Sequence, residues 1–352
     1  MASRIQPDEN EGEPTEDVVL EVRDASVSFD MSRGESRVLR DVDLTVRRGE
    51  TLGIVGESGS GKSMLASAML DAVVDPGQLS GNVVFHPDDG DPVDVLSLSE
   101  REQSELRWNE ISFVIQAAQS AFNPTMTVGA HFEETLRAHD RDVGEGMARA
   151  RTLLGDLYLP VDQVLRSHPH ELSGGQKQRA LIALSLILEP SVLVMDEPTA
   201  ALDLLMQRSI ISLLADLKEK YDLTLVFVTH DLPLVADIAD RLAVMYAFEL
   251  AEVGPTGAIV EDPAHPYTRA LLKAVPNVSD DEMSVAGISG SSPDPVDIPM
   301  GCSYHPRCPL ADEECRREEP AFRPVGDDHK VTCFHSEAAA DAIPLETGDG
   351  DE

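Results

Sequence analysis

Between Gly56 and Ser63 the chain reads Gly-Glu-Ser-Gly-Ser-Gly-Lys-Ser. This octapeptide matches G-x-x-x-x-G-K-[ST], and it restricts the fold strongly because it works only where a buried strand runs into a loop that opens a helix. Thr51-Leu52-Gly53-Ile54-Val55 is apolar enough to be that strand, and the expected helix covers Met64 to Val74. Gly56, Gly59 and Gly61 let the backbone turn tightly, carrying Glu57, Ser58 and Ser60 on a loop whose N–H groups aim inward. Unpaired amides and the helix dipole both favour an anion at such a place. Lys62 is positioned to reach the β- and γ-phosphates of a nucleoside triphosphate, and the Ser63 hydroxyl to hold Mg2+.

The rest of the chain supplies the setting. Val18 to Phe29 and Arg37 to Val46 alternate apolar and polar residues as half-buried antiparallel strands do, and Asn82 to Phe85 reads as another strand. A helical pattern runs from about Thr127 to Leu188. Strands return at Val192 to Met195, Leu223 to Val228 and Leu242 to Tyr246, with a helix over Gln207 to Tyr221 between them. Strand-helix-strand alternation implies an α/β fold with a mainly parallel sheet. The expected organisation is a disordered acidic opening over 1–17, one core domain over 18–260, a loop-dominated appendage over 261–335 and a disordered acidic tail over 336–352.

Charge narrows the partners. The chain carries 28 basic against 64 acidic residues, a formal net charge of −36. Such a field repels nucleic acid phosphate, so no nucleic acid partner is expected. Because the acids are spread along the whole length, the composition suggests a halophilic protein, adapted to concentrated salt, where a Debye length of ~3 Å at 1 M screens self-repulsion. A melting temperature that climbs from low salt to molar KCl is the expected signature. The longest apolar stretch, Ala180 to Leu188, is far short of the ~20 residues that cross a bilayer, and no secretory signal pattern opens the sequence, so a soluble intracellular protein is expected.

Two further constellations complete a catalytic array. The apolar run Val192 to Met195 ends in Asp196-Glu197, where P-loop proteins place a magnesium-binding acid; Asp196 takes that role, and Glu197 is positioned to polarise an attacking water as general base. Leu172-Ser173-Gly174-Gly175-Gln176 opens a second helix and offers another set of unpaired amides to an anion. Two such devices serve one nucleotide if subunits pair head to tail.

With these motifs in this order, residues 18 to 275 resemble an ABC transporter ATP-binding subunit. The resemblance implies a P-loop ABC ATPase core with an antiparallel β subdomain and a helical subdomain over about 117–188, binding ATP and Mg2+. It further implies that Gln116 contacts magnesium and senses a membrane partner, and that Ala201-Leu202-Asp203 touches the opposite site. It also implies that His230 lies near the γ-phosphate, where an imidazole can hydrogen-bond a phosphate oxygen and the catalytic water. Phe29 sits where the family stacks an aromatic ring on adenine, a core phenylalanine being the other reading of that position. Ala117 and Phe248 depart from the family pattern, which often has Asp and a turn glycine there.

His265-Pro266-Tyr267-Thr268-Arg269-Ala270-Leu271-Leu272 and Gly301-Cys302-Ser303-Tyr304-His305-Pro306-Arg307-Cys308-Pro309 resemble the oligopeptide and dipeptide importer branch of that family. This implies uptake of peptides, with nickel or sugars as the alternative. The implied partners are two transmembrane permease subunits, a paralogous ATPase subunit or a second copy, and an extracellular solute-binding protein, with the chain peripheral on the cytoplasmic face of the cell membrane. The rival class is a soluble ABC ATPase of DNA repair or translation. The short stretch from Lys62 to Ser173 leaves no room for the coiled coil or zinc modules such proteins insert.

Cys302, Cys308, Cys315 and Cys333 are the four cysteines of the chain, separated by 5, 6 and 17 residues. Four thiols so close together in a reducing compartment favour a metal site over disulfides or free thiols, either zinc or a [4Fe-4S] cluster. The absence of a C-x2-C pair and the resemblance to the peptide branch, whose members carry iron and sulfur here, favour the cluster over Zn2+. His305, His329 and His335 are possible substitute ligands.

Overall fold

In the computed structural model, residues 17–115, 121–200, 202–274 and 288–345 are described. The chain opens on β1 (Val18–Met31) and β2 (Gly34–Arg47), an antiparallel pair joined through Ser32 and Arg33. A long turn over Met31 to Ser36 is expected from the sequence; instead the pairing runs to the tip, Met31 opposite Gly34. Gly34 has φ 129, which lets the backbone reverse so quickly. β3 (Thr51–Val55) is buried along its whole length and leads into α1 (Lys62–Ala68). This helix begins before Met64 and stops well short of Val74. Asp71 takes a left-handed φ of 49°, and the guanidinium of Arg107 donates to the main-chain oxygens of Leu70 and Asp71, which satisfies carbonyls at the helix end.

β4 (Gln78–Phe85) and β5 (Val93–Asp94) complete a sheet of order β2-β1-β4-β5, and α2 (Glu100–Asn109) leads to β6 (Ile111–Val114). A helical layer follows: α3 (Val128–Ala138), α4 (Val143–Asp156) and α5 (Gly174–Ser185), capped by the side chains of Thr127, Asp142 and Ser173. β7 (Val192–Asp196), α6 (Leu204–Tyr221), β8 (Thr224–Val228), β9 (Arg241–Tyr246) and β10 (Glu249–Pro255) then build the main sheet. The strands β6, β7, β8, β3 and β9 lie parallel in that order. Buried on both sides, they alternate between two cores: Leu193, Met195, Leu225 and Phe227 pack against the helical layer, whereas Val192, Val194, Val226 and Val228 pack toward α1 and the antiparallel sheet. Burial of each such side chain stabilises the fold by about 1.5–3 kcal/mol.

Turns and loops dominate the described residues of 261–335, as expected, but the segment is tied into the core and the main sheet. Tyr267 in α7 (Pro266–Lys273) is fully buried in the larger core, and β11 (Phe322–Gly326) with β12 (His329–Thr332) extends the main sheet through antiparallel pairing of β12 with β10. Phe322-Arg323-Pro324-Val325-Gly326 hides its strand character because a short edge strand tolerates proline and charge. Disorder from Ser336 is also corrected: Ser336–Ala338 and Ala339–Ala342 form helical turns with Ala339 buried. Residues 1–16 and 346–352, where disorder is also expected, lie outside the described residues. Among the described residues no helix is long and apolar enough to cross a membrane.

Candidate active site

The carboxyl ends of β3, β7 and β8 come together because Val228 is opposite both Ile54 and Asp196 in the sheet. Ligands of parallel α/β sheets bind at this edge. From it emerge the Gly56–Ser63 loop, the Asp196-Glu197 pair and His230. The Ser63 hydroxyl donates to Asp196 Oδ1 at 3.0 Å, so the two expected magnesium ligands are already in contact. Burial pushes the Asp196 carboxyl above its usual range, more than the Ser63 hydrogen bond and the Lys62 charge pull it down. A buried carboxylate short of positive charge, touching a serine hydroxyl, is a donor set suited to Mg2+.

Lys62 is 5% exposed and its ammonium donates to the main-chain oxygens of Gly56, at 2.8 Å, and Glu57, at 2.9 Å. Burial lowers its pKa, and the charges of Glu197, Asp196 and Glu57 oppose that shift. Glu197 has φ 46 and its amide donates to Val228 O, which turns the chain so that its carboxylate meets His230 Nδ1 at 2.9 Å. The expected base and the expected phosphate-sensing imidazole are therefore directly paired. Ser60 is buried, and its Oγ lies beside Gly56 without a hydrogen-bond partner. Such a group costs about 1–3 kcal/mol unless something satisfies it. Gly56, at φ 154, sits against Met245, whose carbonyl oxygen a Cβ would overlap.

Several residues that shape this loop carry no motif signal. The turn between β9 and β10 places Ala247 and Phe248 at φ 50 and 74, and the Phe248 amide donates to Ser60 O at 3.0 Å. Phe248 thus adopts the conformation a turn glycine would, while bracing the loop. The Glu57 amide donates to the Tyr267 hydroxyl at 2.8 Å, and Arg307 grips the Glu57 carboxylate through two hydrogen bonds of 2.6 and 3.0 Å. Tyr246, Tyr267 and Tyr304 pack ring against ring beneath, with centroids 4.5 to 5.5 Å apart. Only the Tyr-containing and Pro-Arg-Cys motifs hint at these contacts, and they do so without indicating the loop.

Other expected site residues are present but apart. Ser173 is exposed and forms a capping box with Gln176 at the start of α5, beside Gly174 and the buried Gly175. Asp203 caps α6 by accepting from the Met206 amide. Among the described residues no hydrogen bond joins Ser173–Gln176 or Asp203 to Gly56–Ser63. Phe29 is half-buried on β1 with its ring against Gly77. Gln116, Ala117 and Ala201 lie outside the described residues. Just past them, Phe122 and His131 pin an otherwise exposed loop: His131 accepts from the Asn123 amide and packs edge-on against Phe122.

The four cysteines are free thiols, with Cys315 and Cys333 buried and the other two half-buried. Burial pushes Cys302 up to about 12 and Cys333 up to about 11 and raises Cys308 and Cys315, reinforced by other cysteines at Cys302, Cys308 and Cys333 and by Asp312 at Cys315. Thiols gathered like this ionise readily only when a cation joins them. Among the described residues, no three of the sulfurs lie within 4.8 Å of one another; the one set that close is Asp312, Cys315 and His335. His329 is committed to Glu252 at 2.8 Å and His305 faces the Cys302 carbonyl, so neither is placed as a substitute ligand, whereas His335 is.

Comparison with known proteins agrees with this geometry. Residues 39–200 match the family described as ABC transporter, and residues 251–315 match the oligopeptide/dipeptide transporter C-terminal region. The chain is 40% identical over 319 residues to the dipeptide transport ATP-binding protein DppD of Caldanaerobacter subterraneus subsp. tengcongensis, spanning 90% of this chain and 96% of that one. It is 38% identical over 316 residues to the oligopeptide transport ATP-binding protein OppD of Salmonella typhimurium, spanning 87% and 91%. Among solved structures, the fold is similar to the dimeric bacterial ABC transporter cassette MJ0796, with a TM-score of 0.58 and 28% identity over 67% of this chain and 98% of that one. The same protein has been solved in a post-hydrolysis state bound to ADP and Pi, again at a TM-score of 0.58.

Proposed function

Because the chain belongs to the ABC transporter family, as an ATP-binding subunit of the oligopeptide/dipeptide importers, we propose that the residues at the ends of β3, β7 and β8 carry its ATP hydrolysis. The protein is the ATP-hydrolysing subunit that powers peptide import. The loop from Gly56 to Gly61, through amides other than that of Glu57, which donates to Tyr267, holds the β- and γ-phosphates together with Lys62, and Phe29 meets the adenine. Ser63, Asp196 and Gln116 hold Mg2+, which when bound neutralises charge on the phosphates. Glu197 takes the proton of the attacking water, and His230, already in contact with Glu197, orients both. Ser173 to Gln176 and Asp203 serve the nucleotide of a second ATPase subunit, closing over it head to tail; closure and reopening move the membrane partner.

The observation that carries this reading is the continuous contact from Ser63 to Asp196, and from its neighbour Glu197 to His230. Replacing Glu197 by Gln is expected to cut turnover at least ~100-fold while ATP stays bound. Unchanged turnover would remove Glu197 as the base.

The exposed loop around Phe122 is where we place the contact with two transmembrane permease subunits, on the cytoplasmic face of the membrane. A paralogous ATPase subunit or a second copy completes the dimer, and an extracellular solute-binding protein delivers the peptide. We further assign the four thiols to a [4Fe-4S] cluster rather than zinc. Four thiolates on one zinc at ~2.3 Å sit roughly 3.8 Å apart, closer than any three of these sulfurs. Broad visible absorbance in anaerobically purified protein, lost in Cys333→Ser, is the expected result; a colourless protein holding stoichiometric zinc would overturn it.

A further inference from the structure

We propose that Arg307 is a positioning residue of the phosphate loop, withdrawing the Glu57 carboxylate from Lys62 so that the Lys62 ammonium stays available to the triphosphate. This rests on the ATPase reading above. Glu57 is the one acidic residue of the octapeptide, and it stands where a polyanion has to dock. An uncompensated carboxylate there would repel the ligand and compete for the lysine, whose charge already senses Glu57. Arg307 removes that conflict. Its side chain is 5% exposed and its planar fork takes both carboxylate oxygens.

The fork itself has little freedom. Its Nε donates to Ser289 O at 2.8 Å, one terminal nitrogen also reaches Ile288 O at 3.3 Å, and the guanidinium lies 5.6 Å from the centre of the Tyr246 ring. Ser292 Oγ adds a bond of 3.2 Å to the same carboxylate, and the Glu57 amide is turned the same way, toward Tyr267. Side chain and backbone of Glu57 are thus both drawn to the segment beyond Val260, leaving its carbonyl oxygen as its tie to Lys62. Because Arg307 immediately precedes Cys308, the thiol segment and the phosphate loop share one rigid joint.

The test measures the affinity of a slowly hydrolysed ATP analogue with Mg2+ by calorimetry, alongside the melting temperature. Arg307→Gln is expected to weaken binding about tenfold in an otherwise folded protein. Glu57→Gln in the same chain removes the freed carboxylate and should restore affinity to within about threefold of wild type. Arg307→Lys, which keeps the charge without the fork, should fall between. A purely structural tie would lower the melting temperature without this rescue. Unchanged affinity in Arg307→Gln, or a double variant as weak as the single one, overturns the proposal. Should Arg307→Gln fail to fold, Glu57→Gln alone decides: binding at least as tight as wild type supports it, and tenfold weaker binding overturns it. Failure of the wild-type chain to bind the analogue would instead sink the ATPase reading.

Discussion

The nucleotide end of the main sheet and the thiol segment are built on opposite plans. The first is drawn from residues as distant as Gly56, Asp196 and His230, and around its buried Lys62 and Asp196 it keeps an open rim: His230 has 60% of its side chain exposed, and Leu204 and Leu205, next to Asp203, are 74% and 81% exposed. The second takes its thiols from 302–333 alone and buries them until their pKa values rise. A site that closes against another subunit needs exposed groups, including apolar ones, whereas a site that serves one chain can be sealed. The Glu57–Arg307 pair is where the two plans touch.

This contrast breaks most readily at Tyr267. Tyr267→Ala removes a fully buried ring from under the phosphate loop and should cost about 3–5 kcal/mol of stability, whereas Ser173→Ala on the exposed signature should cost about 1 kcal/mol yet abolish most turnover in the assembled importer. Thermal unfolding paired with ATPase assays separates the two; equal stability losses would erase the distinction between sealed and open sites.

A smaller effect of opposite sign is expected at Asp196. Its folded-state pKa lies above the unfolded value, so the stability it contributes is complete below the ordinary carboxylate range and is lost as pH rises through the raised value. At neutral pH the ionised group therefore opposes folding of the nucleotide-free protein. Asp196→Asn should raise the melting temperature by about 2 °C near pH 7, show no gain near pH ~4, and lose magnesium-dependent turnover. A lower melting temperature at neutral pH would mean that Asp196 is held for structure rather than for the metal.

What the sequence reveals follows the same division. The phosphate loop, Asp196-Glu197 and the helix start at Ser173 are legible because each is a local pattern whose mechanism depends on adjacent residues. The parallel strands are legible because burial on both faces leaves continuous apolar runs such as Val192 to Met195. The hairpin of β11 and β12 is not, since its charged, proline-bearing edge strand carries no period, and neither are Tyr267 and Arg307 as supports of Glu57. Those contacts depend on β12 pairing with β10 and on α7 packing beneath the loop, which no local pattern announces. The helix after Ser63 is shorter than its pattern suggests because its end is set by Arg107, 37 positions beyond Leu70 in the chain.

The account stands on Lys62 gripping a triphosphate at the end of β3. Calorimetric titration of the purified chain with a slowly hydrolysed ATP analogue and Mg2+ tests this most directly: one nucleotide per chain is predicted, with affinity at least ~100-fold weaker in Lys62→Ala. Equal binding by the two proteins would contradict it.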